Sequence, residues 1–164
     1  MVDYGLVALK RTHVIAMIEN YAQLIDRIIG IAIDQEGINQ AGEGDIYEIN
    51  NMPDVQYPIF WVSSTESHTE YDNYFLYTLT FYYVDRLIAS SNHAYSNDNA
   101  HIVSSGMMVI SNIIKKLRTV DDIYSIDNQI SYTSFNDTDV FADKCAGVYC
   151  NVNIAVPKTS VCVQ

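Results

Sequence analysis

Residues 74–84 read YFLYTLTFYYV and form the strongest strand pattern in the 164-residue chain. Alternate side chains of a strand point to opposite faces of its sheet, and both alternate sets in this segment are largely apolar. A strand that is apolar on both faces is typical of a central position with cover on each side. We therefore expect residues 74–84 to lie in the middle of a sheet.

The segments on either side predict two helices and further strands. Apolar residues recur at steps of three and four over residues 7–29 and 102–117, which predicts two amphipathic helices. The apolar run at 59–62 and the alternating run at 148–156, which stops at Pro157, predict two more strands. Weaker patterns predict a short strand at 45–50, a strand or extended segment at 123–135, loops at 37–44 and 90–99, and a hairpin or long loop at 64–73.

These elements together predict the fold class. Their order is helix, two or three strands, helix and two strands, written α-β-β-β-α-β-β. It predicts an α+β fold in which two helices pack on a mostly antiparallel sheet. Apolar residues make up 49% of the chain, and the sequence has no internal repeat and no linker rich in proline and glycine. We expect residues 1–164 to form one domain, with a flexible C-terminal tail from about residue 158.

The charge of the chain excludes several classes of function. Asp and Glu number 20 against 9 Lys and Arg, a formal net charge of -11. This charge repels phosphate backbones and anionic membrane surfaces, so we expect neither non-specific nucleic-acid binding nor membrane attachment. No apolar run is long enough to span a membrane, and the first residues do not resemble a signal peptide. Three cysteines do not make a disulfide framework, which favours synthesis in a reducing cytoplasm.

Two groups of polar residues are candidate metal ligands. His68 and Glu70 lie two apart, and Asp137, Asp139 and Asp143 form a D-x-D-x-x-x-D pattern that resembles part of a calcium or magnesium loop. The glycine and the distal glutamate of a calcium loop are absent, so we expect solvated loops, with no metal site, catalytic site or cofactor. The alternative function is a metal-dependent hydrolase or nuclease that uses the three aspartates with His68 or Glu70.

The cysteines and a run of small residues each suggest a packing role. Cys145 and Cys150 are five residues apart and so lie on opposite faces of a strand, which predicts reduced, buried thiols. Ser104, Ser105 and Gly106 are small residues on the second predicted helix. They allow another backbone to come close, either the sheet of the same chain or a neighbouring subunit.

Three segments of the chain resemble the tail-terminator and neck family of tailed bacteriophages. They are residues 57–62, residues 74–87 with the polar loop and helix that follow, and Phe135 together with 141–157. The third segment is similar to ring proteins of crAss-like phages of Bacteroidales. The resemblance covers roughly residues 6–157.

This resemblance implies a structural role in the virion. Family members form closed rings of twelve or six copies that join head to tail and extend the DNA channel below the portal. The expected function is therefore a ring in the neck or tail, with no enzyme activity and no cofactor. The expected partners are further copies of the chain and other portal, neck or tail proteins, with DNA only as passing cargo. The protein would be made in the host cytoplasm and located in the virion.

The acidic excess suggests which residues face such a channel. A wall of carboxylates repels DNA phosphates and keeps the passage free of sticking contacts. The first candidates for the channel wall are Glu43, Asp45, Glu48 and Asp54. The second candidate surface, for the channel or for ring and partner contacts, runs from Glu66 through Glu70 to Asp72, and further candidate contacts are Ser104, Ser105 and Gly106. A small acidic mimic of nucleic acid is the third alternative, ranked last because the acids are scattered along the chain.

Overall fold

The computed structural model describes residues 20–88, 96–137, 141 and 143–158. Two α-helices, six strands and a 3-10 helix make up the described part. In chain order they are α1 (Tyr21–Ile33), β1 (Gln40–Glu43), the 3-10 helix (Ile46–Asn51), β2 (Ile59–Glu70), β3 (Tyr74–Arg86), α2 (Ser96–Leu117), β4 (Ser125–Ile126), β5 (Tyr132–Asp137) and β6 (Cys145–Pro157). The fold is α+β, as the sequence predicts.

The six strands form one sheet in the order β1-β2-β3-β6-β4, and β5 also pairs with β6. All pairs are antiparallel except β1 with β2. β3 pairs with β6 over its whole length, from Tyr74↔Pro157 to Arg86↔Cys145, and with β2 on its other side. The predicted central strand is confirmed. We call the end of the sheet at the β2–β3 turn the tip end, and the opposite end the base end.

Both helices pack on one face of the sheet, which we call the helix-covered face. Alternate apolar residues of β3 and β6 point to this face and form the main core with the apolar stripes of the helices. Its fully buried members include Leu24, Ile25 and Ile28 of α1, Ile110, Ile113 and Leu117 of α2, and Leu79, Phe81, Val152 and Ile154 of the sheet. Burial of these side chains supplies most of the hydrophobic stabilisation of the fold.

The opposite face, which we call the open face, is covered mainly at its base end. There Ile49 of the 3-10 helix packs against Ile59, Trp61 and Val84 in a second, smaller core. The indole Nε1 of Trp61 donates a 3.1 Å hydrogen bond to the carbonyl oxygen of Gly44, which holds the 3-10 segment over the sheet. Towards the tip end, threonines of β3 donate to asparagines of β6, in the pairs Thr78–Asn153 and Thr80–Asn151, both at 2.8 Å.

Two predictions for the first half of the chain are wrong. The predicted loop at 37–44 contains the edge strand β1, and the predicted strand at 45–50 is the 3-10 helix. Asp45 starts this helix because its Oδ1 accepts a hydrogen bond from the backbone N–H of Tyr47 at 3.0 Å. Of the two alternatives predicted for 64–73, the hairpin is confirmed, because β2 continues to Glu70 in antiparallel pairing with β3, with one register shift between Ser64 and His68.

The helices differ from prediction in their bounds. The predicted first helix begins in a part of the chain that lies outside the described residues. Within them, Asn20 caps α1 by accepting a 3.0 Å hydrogen bond from the backbone N–H of Gln23, and the helix continues to Ile33. α2 begins at Ser96, earlier than predicted, and ends at Leu117 as predicted. Neither helix, within the described ranges, is long and apolar enough to cross a membrane.

Candidate functional site

The four candidate channel acids lie close together in the chain and in the fold. Glu43 ends β1, Asp45 caps the 3-10 helix, Glu48 lies in its first turn, and Asp54 follows it with a φ of 58°. All four are exposed. Their segment packs over the base end of the open face. Desolvation raises the pKa of the half-buried Tyr82 hydroxyl, and the neighbouring Tyr149 and the negative charge of Asp45 raise it further. The 3-10 segment therefore places Asp45 and Glu48 on the open-face side of the sheet, whereas Glu43 pairs with Val62, whose side chain is in the main core, and so points to the helix-covered side.

The second candidate surface lies at the tip end. Glu70 forms a 2.6 Å ion pair with the Nζ of Lys158, and Asp72 is exposed in the β2–β3 turn. Glu66 belongs to β2, and its side chain lies outside the described part. Glu43 pairs with Val62, and the β3 partners of Val62 and Glu70, Phe81 and Phe75, are six residues apart, which corresponds to about 20 Å. The two acidic surfaces are therefore distinct.

Lys158, where the flexible tail was predicted to begin, is held at the tip end. Its backbone N–H donates to the carbonyl oxygen of Asn73 at 2.9 Å, and its Nζ lies 5.0 Å from the centre of the Phe75 ring while it pairs with Glu70. The rest of the predicted tail, residues 159–164, lies outside the described residues. β6 is thus fastened to the β2–β3 turn at the tip end.

A stack of three tyrosines at the tip end was not predicted from the sequence. The ring of Tyr74 lies 4.6 Å from that of Tyr71 and 5.7 Å from that of Tyr124, with the planes only 18° and 13° apart. Tyr124 is 72% exposed and Tyr71 is 43% exposed. Backbone bonds fix both, since Tyr71 N–H donates to Tyr74 O and Tyr124 N–H donates to Ala155 O. We call Tyr71, Tyr74 and Tyr124 the tyrosine stack. Exposed, ordered tyrosines are typical of protein interfaces.

The outer face of α2 carries the second exposed apolar surface. Gly106 faces the sheet, where an added Cβ would lie 2.6 Å from Val148 Cγ1 and 2.7 Å from Tyr83 Cδ1. Gly106 therefore lies at a close contact between α2 and the sheet. Such a contact is one of the two alternatives predicted for it. Ser104 and Ser105 are exposed, as is Met108 at 64%.

Acidic and basic residues lie in different parts of the chain. Residues 28–85 contain ten Asp and Glu and no Lys or Arg, whereas residues 99–118 contain no Asp or Glu. Instead, Lys115 and Lys116 lie in the last turn of α2 and Arg118 follows it. The side of the sheet that α2 covers is therefore neutral to basic at residues 99–118, and the acidic 3-10 segment lies on the other side.

The structure places His68 far from Asp137. On β6, Asp137 pairs with Cys145, whereas the partner of His68, Tyr77, pairs with Ile154. Nine residues of strand between these positions correspond to about 30 Å. Within the described ranges, no group of three or more His, Cys, Asp and Glu side chains is placed to hold a metal ion.

The individual side chains have other partners. The His68 ring lies 5.2 Å from the rings of both Tyr21 and Tyr77, and Glu70 pairs with Lys158. Asp143 forms a 2.8 Å ion pair with Arg86. Asp139 lies outside the described residues.

The two described cysteines are free and buried, as predicted. Cys150 faces the main core and Cys145 faces the smaller core beneath the 3-10 helix, so they lie on opposite faces of β6. Burial raises the pKa of the Cys150 thiol to about 12, and burial also raises the pKa of the Cys145 thiol. Thiols held in the protonated form are poor nucleophiles and poor metal ligands.

Comparison with known proteins assigns no family to the chain. No protein-family model matches it, and no curated protein matches it.

Proposed function

We propose that this protein is a structural component of a tailed-phage virion that forms a ring in the neck or tail. The ring would connect the portal to the tail and surround the DNA channel. The observation that supports this proposal best is the difference in charge across the sheet, with the acidic 3-10 segment on one side and residues 99–118 of α2 and its end, which contain no carboxylates, on the other. A ring subunit needs two different, complementary sides, because each copy contacts its two neighbours through different surfaces.

The acidic 43–54 segment is the proposed channel wall. Its four carboxylates are exposed, and no lysine or arginine lies between residues 28 and 85 to neutralise them in sequence. Repeated around an axis, such segments would give a ring of negative potential that repels DNA phosphates. DNA then passes as cargo and does not bind.

Neutralising the proposed wall tests this function. The test variant carries Glu43→Gln, Asp45→Asn, Glu48→Gln and Asp54→Asn. The matched control neutralises four exposed acids elsewhere, by Asp26→Asn, Asp34→Asn, Glu36→Gln and Asp121→Asn. Both variants change the net charge equally, so only the position of the charges differs.

We expect the wild type and both variants to share one multi-copy mass by light scattering, and only the wall variant to retain duplex DNA in a gel-shift assay at low salt. Equal DNA retention by the two variants would show that net charge alone sets the repulsion, and would contradict the channel assignment. A single-copy mass for the wild type, alone and with portal protein, would contradict the ring itself.

A further inference from the structure

The tyrosine stack is an exposed surface of low charge in an acidic protein. Lys158, the cation beside it, is already paired with Glu70, and Asp72 borders the stack as an exposed carboxylate. The stack includes Tyr74, whose alternate neighbours on β3, Leu76 and Thr78, also point to the open face. Stacking and backbone bonds hold the rings in place, so a partner would lose little side-chain entropy by binding them.

The exposed stripe of α2 complements this surface. Ser104, Met108, Asn112 and Lys115 follow one another at steps of four, four and three, so they share one side of the helix, and all are exposed. We call these four residues the α2 stripe. Met108 and Lys115 are seven residues apart, which is about 10 Å along the helix axis. An apolar thioether and a cation are thus presented on one side of α2, and a partner surface would need an aromatic group and a carboxylate about 10 Å apart.

Charge complementarity identifies the occupant of both surfaces as a second copy of this chain. Two copies that each carry -11 repel one another, except where a surface without carboxylates meets an acidic one. The α2 stripe lies within residues 99–118, which contain no carboxylates, and the stack carries the exposed Asp72 between Tyr71 and Tyr74, while Lys158 beside it is paired with Glu70.

We propose that each copy places its tyrosine stack on the α2 stripe of the next copy. Met108 packs against the tyrosine rings, a contact that sulfur and aromatic groups favour, and Lys115 lies towards Asp72. The stack belongs to the open-face side and the α2 stripe to the helix-covered side, so the contact joins two different surfaces and closes into a ring by rotation. This inference rests on the proposed function and names the contact that builds the ring.

Disulfide trapping tests the contact. In a Cys162→Ser background the remaining cysteines are Cys145 and Cys150, which are buried. Tyr124→Cys and Met108→Cys chains are coexpressed and treated with a mild oxidant, and dimers are counted on a non-reducing gel. The matched control replaces Tyr124→Cys by Tyr47→Cys, because Tyr47 is 59% exposed but lies on the 3-10 helix.

We expect a disulfide dimer from the Tyr124→Cys and Met108→Cys mixture, at least tenfold above the Tyr47→Cys control, and none from either variant alone. A dimer of Tyr124→Cys with itself would show a symmetric contact and overturn the proposal. A multi-copy mass by light scattering without the mixed dimer would overturn this contact and leave the ring standing. A single-copy mass would overturn both.

Discussion

Replacing Gly106 by Ala measures how tightly α2 packs on the sheet. In a helix interior, this change alone stabilises by about 1 kcal/mol, because alanine loses less backbone entropy than glycine. At Gly106 the new Cβ would lie 2.6 Å from Val148 and 2.7 Å from Tyr83, both buried. Overpacking of this kind costs about 1–3 kcal/mol. At Gly30 of α1, by contrast, an added Cβ meets nothing within 4 Å.

We therefore expect Gly30→Ala to raise the free energy of unfolding by about 1 kcal/mol. We expect the free energy of unfolding of Gly106→Ala to be about 1–3 kcal/mol lower than that of Gly30→Ala. Urea unfolding followed by the fluorescence of the single tryptophan measures both, with an unchanged m value as the check on two-state behaviour. Equal stabilisation by the two substitutions would refute the close packing of Gly106. A change of oligomer mass in Gly106→Ala without a change of stability would assign Gly106 to a subunit contact.

Three further predictions concern ionisable groups. Burial raises the pKa of the Cys150 thiol from 9.0 to about 12. The unfolded chain therefore releases this proton at a lower pH than the folded chain, and the free energy of unfolding falls as the pH rises from 9 towards 12. We expect Cys150→Ala to reduce this fall, measured by urea titrations at each pH. An equally steep loss in Cys150→Ala would contradict it. Burial also raises the pKa of Asp85 above 3.8, because the charged form is desolvated in the fold. We therefore expect Asp85→Asn to raise the free energy of unfolding at pH 7 but not at pH 3. An equal increase at both pH values would be inconsistent with this cause. Asp127 accepts two hydrogen bonds from Asn153, at 3.1 and 2.9 Å, so Asp127→Ala should cost about 2 kcal/mol of unfolding free energy while the exposed control Asp121→Ala costs almost none. Equal costs would show that the Asp127 bonds contribute nothing.

The strands and helices with strong apolar periodicity were predictable from the sequence. β3 is apolar on both faces because helices cover one face and the 3-10 segment covers the base end of the other. The alternation before Pro157 predicts β6, and the steps of three and four predict α2. In each of these elements the buried positions carry apolar side chains, so the periodicity of the sequence matches the periodicity of burial.

The second half of β2 was not predictable in this way, because its polar side chains face solvent at the sheet edge. Backbone pairing with β3 across the short turn at 71–73 holds it, and that pairing leaves no periodic signal. β1 was missed for a similar reason. Its Gly42 allows the Trp61 ring to lie against the strand, where an added Cβ would clash with the ring, and a glycine-rich sequence is more often a loop.

The proposed sites also differ in whether their residues are neighbours in sequence or only in the fold. The acids at 43–54 are contiguous, so their clustering follows from sequence alone. The tyrosine stack joins a turn, a strand and a distant loop, and only the pairing of β3 and β6 brings Tyr124 to Tyr74. The separation of His68 from Asp137 by about 30 Å depends on strand register, which the sequence pattern does not encode.

The mass of the assembled protein tests the central claim most directly. Light scattering on the purified chain, alone and with portal protein, measures how many 18.5 kDa copies associate. The proposed ring predicts a single closed assembly of six or twelve copies whose mass does not grow with concentration. A mass of one copy in every condition, or an open series of masses that grows with concentration, would contradict it.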